Sequence, residues 1–470
     1  MAKIHIVETS LVKPVTPTKR HSLALNGLDL YWSEFGYART VHFYSTQPGH
    51  HDFKAIVHSL KKSLSMLLVH FYPVAGRLVP HTSDDNVNSV DPPLIVLDCN
   101  DAGVEFIEAS CLDVDFGQLQ GKGFRVQDFF ARLTRTDSRL RPEDPVMSVQ
   151  VTSFLGGGVA IGCSSDHALF DGFSFASMMK SWAELCNGVA ALSAPPHHLR
   201  RQLDSVSPRQ LPRLRTRGSL AIAPHEDLQV RMVPVTASTV EKLKTEAGDG
   251  GPFTSFECLA AHVWKARTRA ETMTQKGHGQ DARVALRFRV NIRARLAPKL
   301  PATSFGPGVI HARVGPVSAG ELNKESLGAT ASRIHEAVLL YTNPTKVQQE
   351  LERYDAGEMV YVWDNQAELQ HPSVVVTEIV DLRTIGFYDA EFGWGELKAI
   401  RPATMRGSGV FSLAPPPPPR PPLGGGSVDT HCKLELIVRL TSKEMGDFLP
   451  SLLSPPWPPN GNMYNGTHTH

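Results

Sequence analysis

Apolar positions recur along this chain with two different periods, and the two periods alternate. Phe53, Ile56, Val57, Leu60, Leu64 and Leu67 fall three or four residues apart, the stripe of an amphipathic helix that ends near Pro73. Residues 148–154 alternate as a half-buried strand, and residues 158–163 form a short apolar run that reads as a buried one. Helical spacing returns at Phe173, Phe175, Met178, Met179 and Trp182. Residues 192–218 turn to proline, arginine and serine and predict an exposed crossover. A second unit opens with Thr254-Ser-Phe-Glu257, a capping box ahead of a helix carrying Cys258, Leu259, His262, Val263 and Ala266. Residues 283–292 predict a strand, and the proline- and glycine-rich residues 413–426 predict an extended loop outside the core. No internal repeat is found.

Strands and helices in alternation predict an α/β protein. A chain of 470 residues exceeds one comfortable hydrophobic core, so two domains are expected: 1–190, a crossover at 191–220, and 221–470. The 41% hydrophobic and 20% charged content is ordinary for a globular chain. A net charge of +1 removes the electrostatic case for nucleic acid or an anionic membrane. No apolar run approaches the length of a membrane span, and the first residues lack the apolar core of a signal peptide, so a cytoplasmic location is expected. The six cysteines are scattered without Cys-x-x-Cys spacing; Cys163 and Cys258 read as small buried thiols. Asn465-Gly-Thr467 has the form of a glycosylation sequon but lacks a secretory context.

Candidate chemistry centres on Asp-His-Ala-Leu-Phe-Asp-Gly at residues 166–172. His-x-x-x-Asp is a weak motif alone, and the chain holds a decoy in His81 and Asp85, inside a polar run that reads as a loop. His167 instead follows the apolar run at 158–163, and a reactive histidine at the end of a core strand is rigidly held. The bland alternative is a satisfied buried histidine. Other chemistries find no motif. There is no Gly-x-Ser-x-Gly, no His-Glu-x-x-His, no zinc-type cysteine spacing and no phosphate-cradling Gly-x-x-x-x-Gly-Lys-Ser/Thr. No metal site is therefore expected, and His468-Thr-His470 reads as a tail. One histidine without a protein nucleophile suits acyl transfer from a thioester. The thioester is already activated, so a base need only take the acceptor's proton and return it to the departing thiolate. Asp171 can either orient the imidazole or anchor the turn through a salt bridge to an arginine; the second role is preferred.

A family resemblance rests on motifs in one order along nearly the whole chain. They are Tyr72-Pro-Val-Ala-Gly-Arg-Leu78, Leu97-Asp-Cys-Asn-Asp101, Val149-Gln-Val-Thr-x-Phe154, Gly156-Gly157, Ala160-x-Gly162 and His167-x-x-x-Asp171-Gly172. After them come the helix 256–264, Val290-Asn-Ile-Arg-Ala-Arg-Leu296 and Phe392-Gly-Trp-Gly395. This set resembles the BAHD acyl-CoA-dependent acyltransferases. Leu11-Val-Lys-Pro, residues 25–30 and Val41-His-Phe-Tyr44 look most like the hydroxycinnamoyl transferase branch.

The resemblance implies two chloramphenicol-acetyltransferase-like domains with mixed sheets and an active-site channel at their interface. It implies a monomer using acyl-CoA as co-substrate with no permanently bound cofactor, and a small-molecule alcohol or amine as acceptor. His167 is the implied base and Asp171 points away to hold the loop. Glu391, Phe392, Gly393, Trp394 and Gly395 form the implied structural motif, with Glu391 paired to an arginine of the 293–295 strand (Arg293 or Arg295) and Trp394 shaping the channel. Thr40, His42 and Arg383 are implied for the acceptor pocket, Arg383 as a carboxylate handle; Glu378 and Asp381 beside it would suit a cationic amine instead. The N-terminus of the 254–257 helix, at Thr254 and Ser255, is the candidate for a coenzyme A phosphate. The chain departs from the family pattern at Glu391, where an aspartate is usual, and at Ser304-Phe-Gly-Pro307; the stretch 377–391 is a few residues longer. The leading function is hydroxycinnamoyl transfer from coenzyme A. The alternatives are an acetyl- or benzoyl-CoA alcohol acyltransferase, and a degenerate relative that binds a partner through its proline-rich segment at 415–422.

Overall fold

The computed structural model describes residues 2–46, 52–81, 94–135, 141, 143–198, 227–248, 251–273, 279–358, 374–403, 408–416 and 432–455. Its frame is two six-stranded mixed sheets. The first runs in the order β1 (His5–Val12), β6 (Val104–Asp115), β7 (Met147–Leu155), β8 (Val159–Asp166), β3 (Tyr37–Ser45) and β13 (Glu396–Pro402). The second runs β11 (Val309–Ser318), β10 (Arg283–Asn291), β12 (Val374–Asp381), β14 (Val410–Ala414), β15 (Cys432–Thr441) and β9 (Leu228–Thr236). A small sheet, β2 (His21–Ala24), β5 (Leu94–Cys99) and β4 (Arg77–His81), flanks the first.

The periodic segments become the elements they predict. The helix Phe53–His70 buries Leu60, Leu64 and Leu67 completely, and a 3-10 turn at Tyr72–Ala75 follows Phe71. It packs on the helix Gly172–Cys186, where the Trp182 indole Nε1 donates to Ser63 Oγ at 3.0 Å. Strand β8 is buried along its whole length, as an apolar strand between two neighbours must be. Its turn from β7 uses Gly156, Gly157 and Gly158, all at positive φ; a Cβ on Gly158 would lie 2.3 Å from the Phe116 ring. Thr254 and Glu257 exchange the two capping-box hydrogen bonds at the start of the helix Ser255–Met273. Cys99, Cys111, Cys163 and Cys258 are buried free thiols.

One expectation fails. Residues 413–426 were expected to stay out of the core, yet Leu413 is fully buried in β14, because β14 fills the gap between β12 and β15. The remainder of that loop from residue 417 lies outside the described residues, as do residues 199–220 of the expected crossover, Asp85 of the decoy pair, and the terminal sequon and histidines. Across the expected division at 1–190 and 221–470 the two sheets exchange elements. β13 leaves the C-terminal half and pairs antiparallel with β3, placing Ile400 opposite His42. In exchange, the helix Gly27–Ser33 sends Leu28, Tyr31 and Trp32 into the core of the second sheet. Its first residue explains a glycine: a Cβ on Gly27 would meet Tyr354 O at 2.3 Å, while Gly27 N donates to Asp355 Oδ1 at 2.7 Å. Each half therefore completes the other's core. Among the described residues no helix is long and apolar enough to cross a membrane.

Candidate active site

A cavity of about 490 Å³ lies between the two sheets, with walls from β3, β10, β12 and β13 and from the turn after β8. His167 and Thr40 line it from one side; Phe288, Arg289 and Val380 line it from the other. The turn holding His167 is fixed by main-chain bonds: Ala168 N donates to Asp166 Oδ1 at 2.9 Å and His167 N to Gly36 O at 3.1 Å. The His167 Nδ1 lies 3.0 Å from Phe170 O. A carbonyl oxygen only accepts, so Nδ1 carries the proton and the basic lone pair is on Nε2. The imidazole packs 5.4 Å from the Trp32 ring and edge-on to Phe35 at 6.0 Å.

Asp171 turns away from the imidazole. Its carboxylate takes two bonds from Arg293, at 2.7 Å from Nη1 and 3.1 Å from Nη2, and one each from Ser174 N and Gly308 N. It thereby caps the helix Gly172–Cys186. Burial acts to raise its pKa, but the adjacent Arg293 charge and these donors outweigh burial and leave it lowered. Arg293 also donates to Ser304 O and Gly306 O, so the Ser304-Phe-Gly-Pro307 segment forms the outer wall of this ion-pair pocket.

Arg293 and Arg295 sit in a 3-10 turn after β10, not a strand, and Arg293 is committed to Asp171 instead of Glu391. Glu391 is exposed and makes no ion pair among the described residues; its main-chain carbonyl accepts from Asn187 Nδ2 at 2.7 Å. Phe392 packs on Trp182 at 5.1 Å, and Trp394 on Tyr44 at 5.0 Å. A Cβ on Gly393, at φ 79°, would lie 2.1 Å from Asn187 Oδ1, and one on Gly395 2.7 Å from Ser45 O. These glycines let the chain close on β3 and launch β13; Trp394 is core and does not line the cavity. Arg295 does line the cavity, half-buried, with Nη1 unpaired among the described residues.

The acceptor candidates divide. Thr40 lines the cavity, but His42 is fully buried behind it, where burial lowers its pKa to about 3 and keeps it neutral. Arg383 does not line the cavity. It folds back on Asp381 with bonds of 2.8 and 2.7 Å, because the carboxylate lies only two positions earlier, on the same turn. Thr254 and Ser255 also stay out of the lining, whereas the next residue, Phe256, enters it. No group of three or more potential metal ligands occurs among the described residues.

The sequence reading passed over a buried cluster behind Trp32. Arg287 and Arg289 share one face of β10; Glu378 stands opposite Arg287 on β12, and His311 opposite Arg289 on β11. Glu378 takes a very short bond from Arg287 Nη2 and a 3.3 Å bond from Arg289 Nη2. Burial would raise the Glu378 pKa, but Arg287, His311 and Arg289 hold it well below the usual carboxylate range. His311 is lowered to about 3, by burial first and the Arg287 charge second. Two arginines at alternate positions of an apolar strand, Val-Ala-Leu-Arg287-Phe-Arg289-Val, were the available signal: a buried strand face with two cations needs an anion.

The sequence model of the Transferase family matches residues 2–449. The chain belongs to this family of BAHD acyl-CoA-dependent acyltransferases. This BAHD chain is 28% identical over 418 residues to the omega-hydroxypalmitate O-feruloyl transferase of Arabidopsis thaliana, covering 84% of its own length and 83% of the relative's. It is 31% identical over 354 residues to the rosmarinate synthase of Plectranthus scutellarioides, covering 72% and 76%. Its fold matches the crystal structure of vinorine synthase with a TM-score of 0.70 at 20% identity, over 96% of this chain and 98% of that one. The architecture is thus the BAHD one, with two chloramphenicol-acetyltransferase-like domains and mixed sheets.

Proposed function

We propose that this BAHD acyltransferase moves a hydroxycinnamoyl-type acyl group from coenzyme A to an alcohol or amine, with His167 as general base. The observation that carries the reading is the Nδ1 contact to Phe170 O, which leaves the lone pair of a cavity-lining imidazole on Nε2. The acceptor's O–H or N–H gives its proton to Nε2 as its heteroatom attacks the thioester carbonyl. The tetrahedral intermediate collapses with loss of the coenzyme A thiolate, which takes the proton back from the imidazolium. Asp171 acts one step removed: it holds the helix start and the loop that carries Phe170, and so positions the imidazole.

The aromatic side chains Phe35, Phe170, Phe175 and Phe288 around the cavity suit a planar aromatic acyl group. The named relatives include a feruloyl transferase, which supports the same class of donor. The test is free-thiol release from feruloyl-, coumaroyl-, acetyl- and benzoyl-CoA with mixed acceptors, for wild type and His167→Ala. General-base catalysis contributes about 10²–10⁴-fold, so His167→Ala should lose at least that much kcat while its melting temperature holds. Full activity in the variant would overturn the assignment, and an acetyl-CoA preference would replace the donor class.

A further inference from the structure

We infer that the hydrogen-bonded pair of Glu257 and His335 is a clasp on one aromatic wall of the cavity, and that His335 positions this wall for an aromatic acyl group. This rests on the transfer reaction proposed above and assigns residues to its choice of donor.

The Glu257 side chain is 1% exposed, and a carboxylate placed so deeply needs a donor on each oxygen. Both are met. Oε2 accepts from Thr254 N at 2.6 Å and closes the start of the helix Ser255–Met273. Oε1 lies 2.9 Å from His335 Nδ1; a carboxylate accepts, so Nδ1 is the donor. His335 belongs to a second helix, Leu327–Leu340, and its side chain is 24% exposed. The first turn of one helix is thereby tied to the middle of another.

Each partner of the clasp stands beside a residue of the cavity wall. Phe256, immediately before Glu257, lines the cavity, and its ring meets that of Phe288 edge-on at 5.3 Å. Val338, three residues after His335 and so on the same side of its helix, lines the cavity too. Phe253 packs edge-on to the His335 ring at 5.9 Å. The Phe256–Phe288 corner is a surface on which a planar aromatic ring packs well. Its two halves are held differently. Phe288 is fixed within β10, between β11 and β12. Phe256 sits in a first helical turn, where main-chain N–H groups have no intrahelical partner and side chains must supply one. With the clasp open, Glu257 would keep a buried oxygen without a donor, and moving it toward water would relieve that cost and carry Phe256 along. His335 thus acts through Glu257 and Phe256, as a positioning residue.

The experiment compares wild type with His335→Leu, which removes the donor, and His335→Asn, which places an amide N–H where Nδ1 stands. Feruloyl-CoA, acetyl-CoA and free coenzyme A are titrated calorimetrically, and thiol release with mixed acceptors gives kcat and KM for the two acyl donors. A misplacement of about 1 Å costs up to about 100-fold, so His335→Leu should lower the feruloyl- to acetyl-CoA ratio of kcat/KM about tenfold or more. It should weaken feruloyl-CoA binding by a similar factor and leave free coenzyme A as in wild type. His335→Asn should restore most of both. Phe256→Leu, which keeps the clasp and trims the wall, should reproduce the loss of selectivity even where His335→Leu yields no folded protein. The titrations need no turnover, so failure of the transfer reading leaves them standing. The proposal is overturned if wild type binds feruloyl-CoA no more tightly than free coenzyme A, or if Phe256→Leu keeps the wild-type selectivity. It is equally overturned if His335→Leu changes nothing or weakens all three ligands alike, or if His335→Asn restores nothing.

Discussion

Asp171→Ala offers the clearest division between chemistry and architecture at this site. The carboxylate is 6% exposed and its partner Arg293 4%. Removing one member of such a buried pair costs about 3–5 kcal/mol, because the other charge stays buried without compensation. Loss of the helix cap at Ser174 N adds about 1 kcal/mol. Part of this is offset, since Arg293 keeps its bonds to the Ser304 and Gly306 carbonyls. A net loss of about 4 kcal/mol is therefore expected, which is about a thousandfold in the folding equilibrium and about 8–16 °C in melting temperature for a domain of this size. The assay is a double-mutant cycle of Asp171→Ala and Arg293→Ala, read by denaturant unfolding and by thiol release on the same samples. The double variant should be less destabilised than the sum of the singles by about 2 kcal/mol or more, since the second change removes a charge the first had orphaned. Activity should fall in step with folded protein. If Asp171→Ala unfolds within about 1 kcal/mol of wild type and yet has no activity, the carboxylate works on the reaction itself and the architectural role is wrong.

Glu391→Ala should cost no more than about 0.5 kcal/mol, as an exposed side chain without an ion pair among the described residues. Gly395→Ala should instead cause loss of soluble protein, because its Cβ would stand 2.7 Å from Ser45 O; equal, severe losses in both would show that the carboxylate has a buried partner. Stability should also fall steeply on mild acidification. His42, His262 and His311 have folded pKa values lowered to about 3, 4 and 3 by burial, against about 6.5 unfolded. A depressed histidine stabilises the fold above its unfolded pKa and loses that contribution as pH drops from there toward the folded value, about 2 kcal/mol for each by pH 5. A melting temperature that is flat from pH 7 to pH 5 would contradict the burial of these rings.

The elements were legible where one chain segment carries its own demand. The stripe at Leu60, Leu64 and Leu67, the apolar run ending at Cys163 and the Thr254–Glu257 capping box each have a single solution, because burial period and cap chemistry are local. The strand that delivers His167 was legible for the same reason. The glycine–tryptophan turn was recognisable as a structural demand, but its purpose was not. Its glycines answer to Asn187 and Ser45, about 200 and 350 residues earlier in the chain, and no local pattern tells a strand that it will be exchanged into another sheet.

Side-chain partners across strands were the least legible feature, and one register explains both the error at Arg383 and the omission of Arg289. Glu378 and Asp381 lie three residues apart on β12, so alternation sends them to opposite faces. In the parallel register with β10, Glu378 falls beside Arg287, and its face then meets Arg289 and His311 one strand further on. Asp381, on the other face at the strand's end, is left for the nearest cation, Arg383. A shift of one residue in this pairing would reverse both assignments, taking Glu378 out of the cluster and exposing its cations. The cavity's charge is thus set by a register between strands about ninety residues apart. That register is itself secured by apolar neighbours such as Leu286 and Ile379, which are fully buried and whose pattern carries no mark of the charges they bring together.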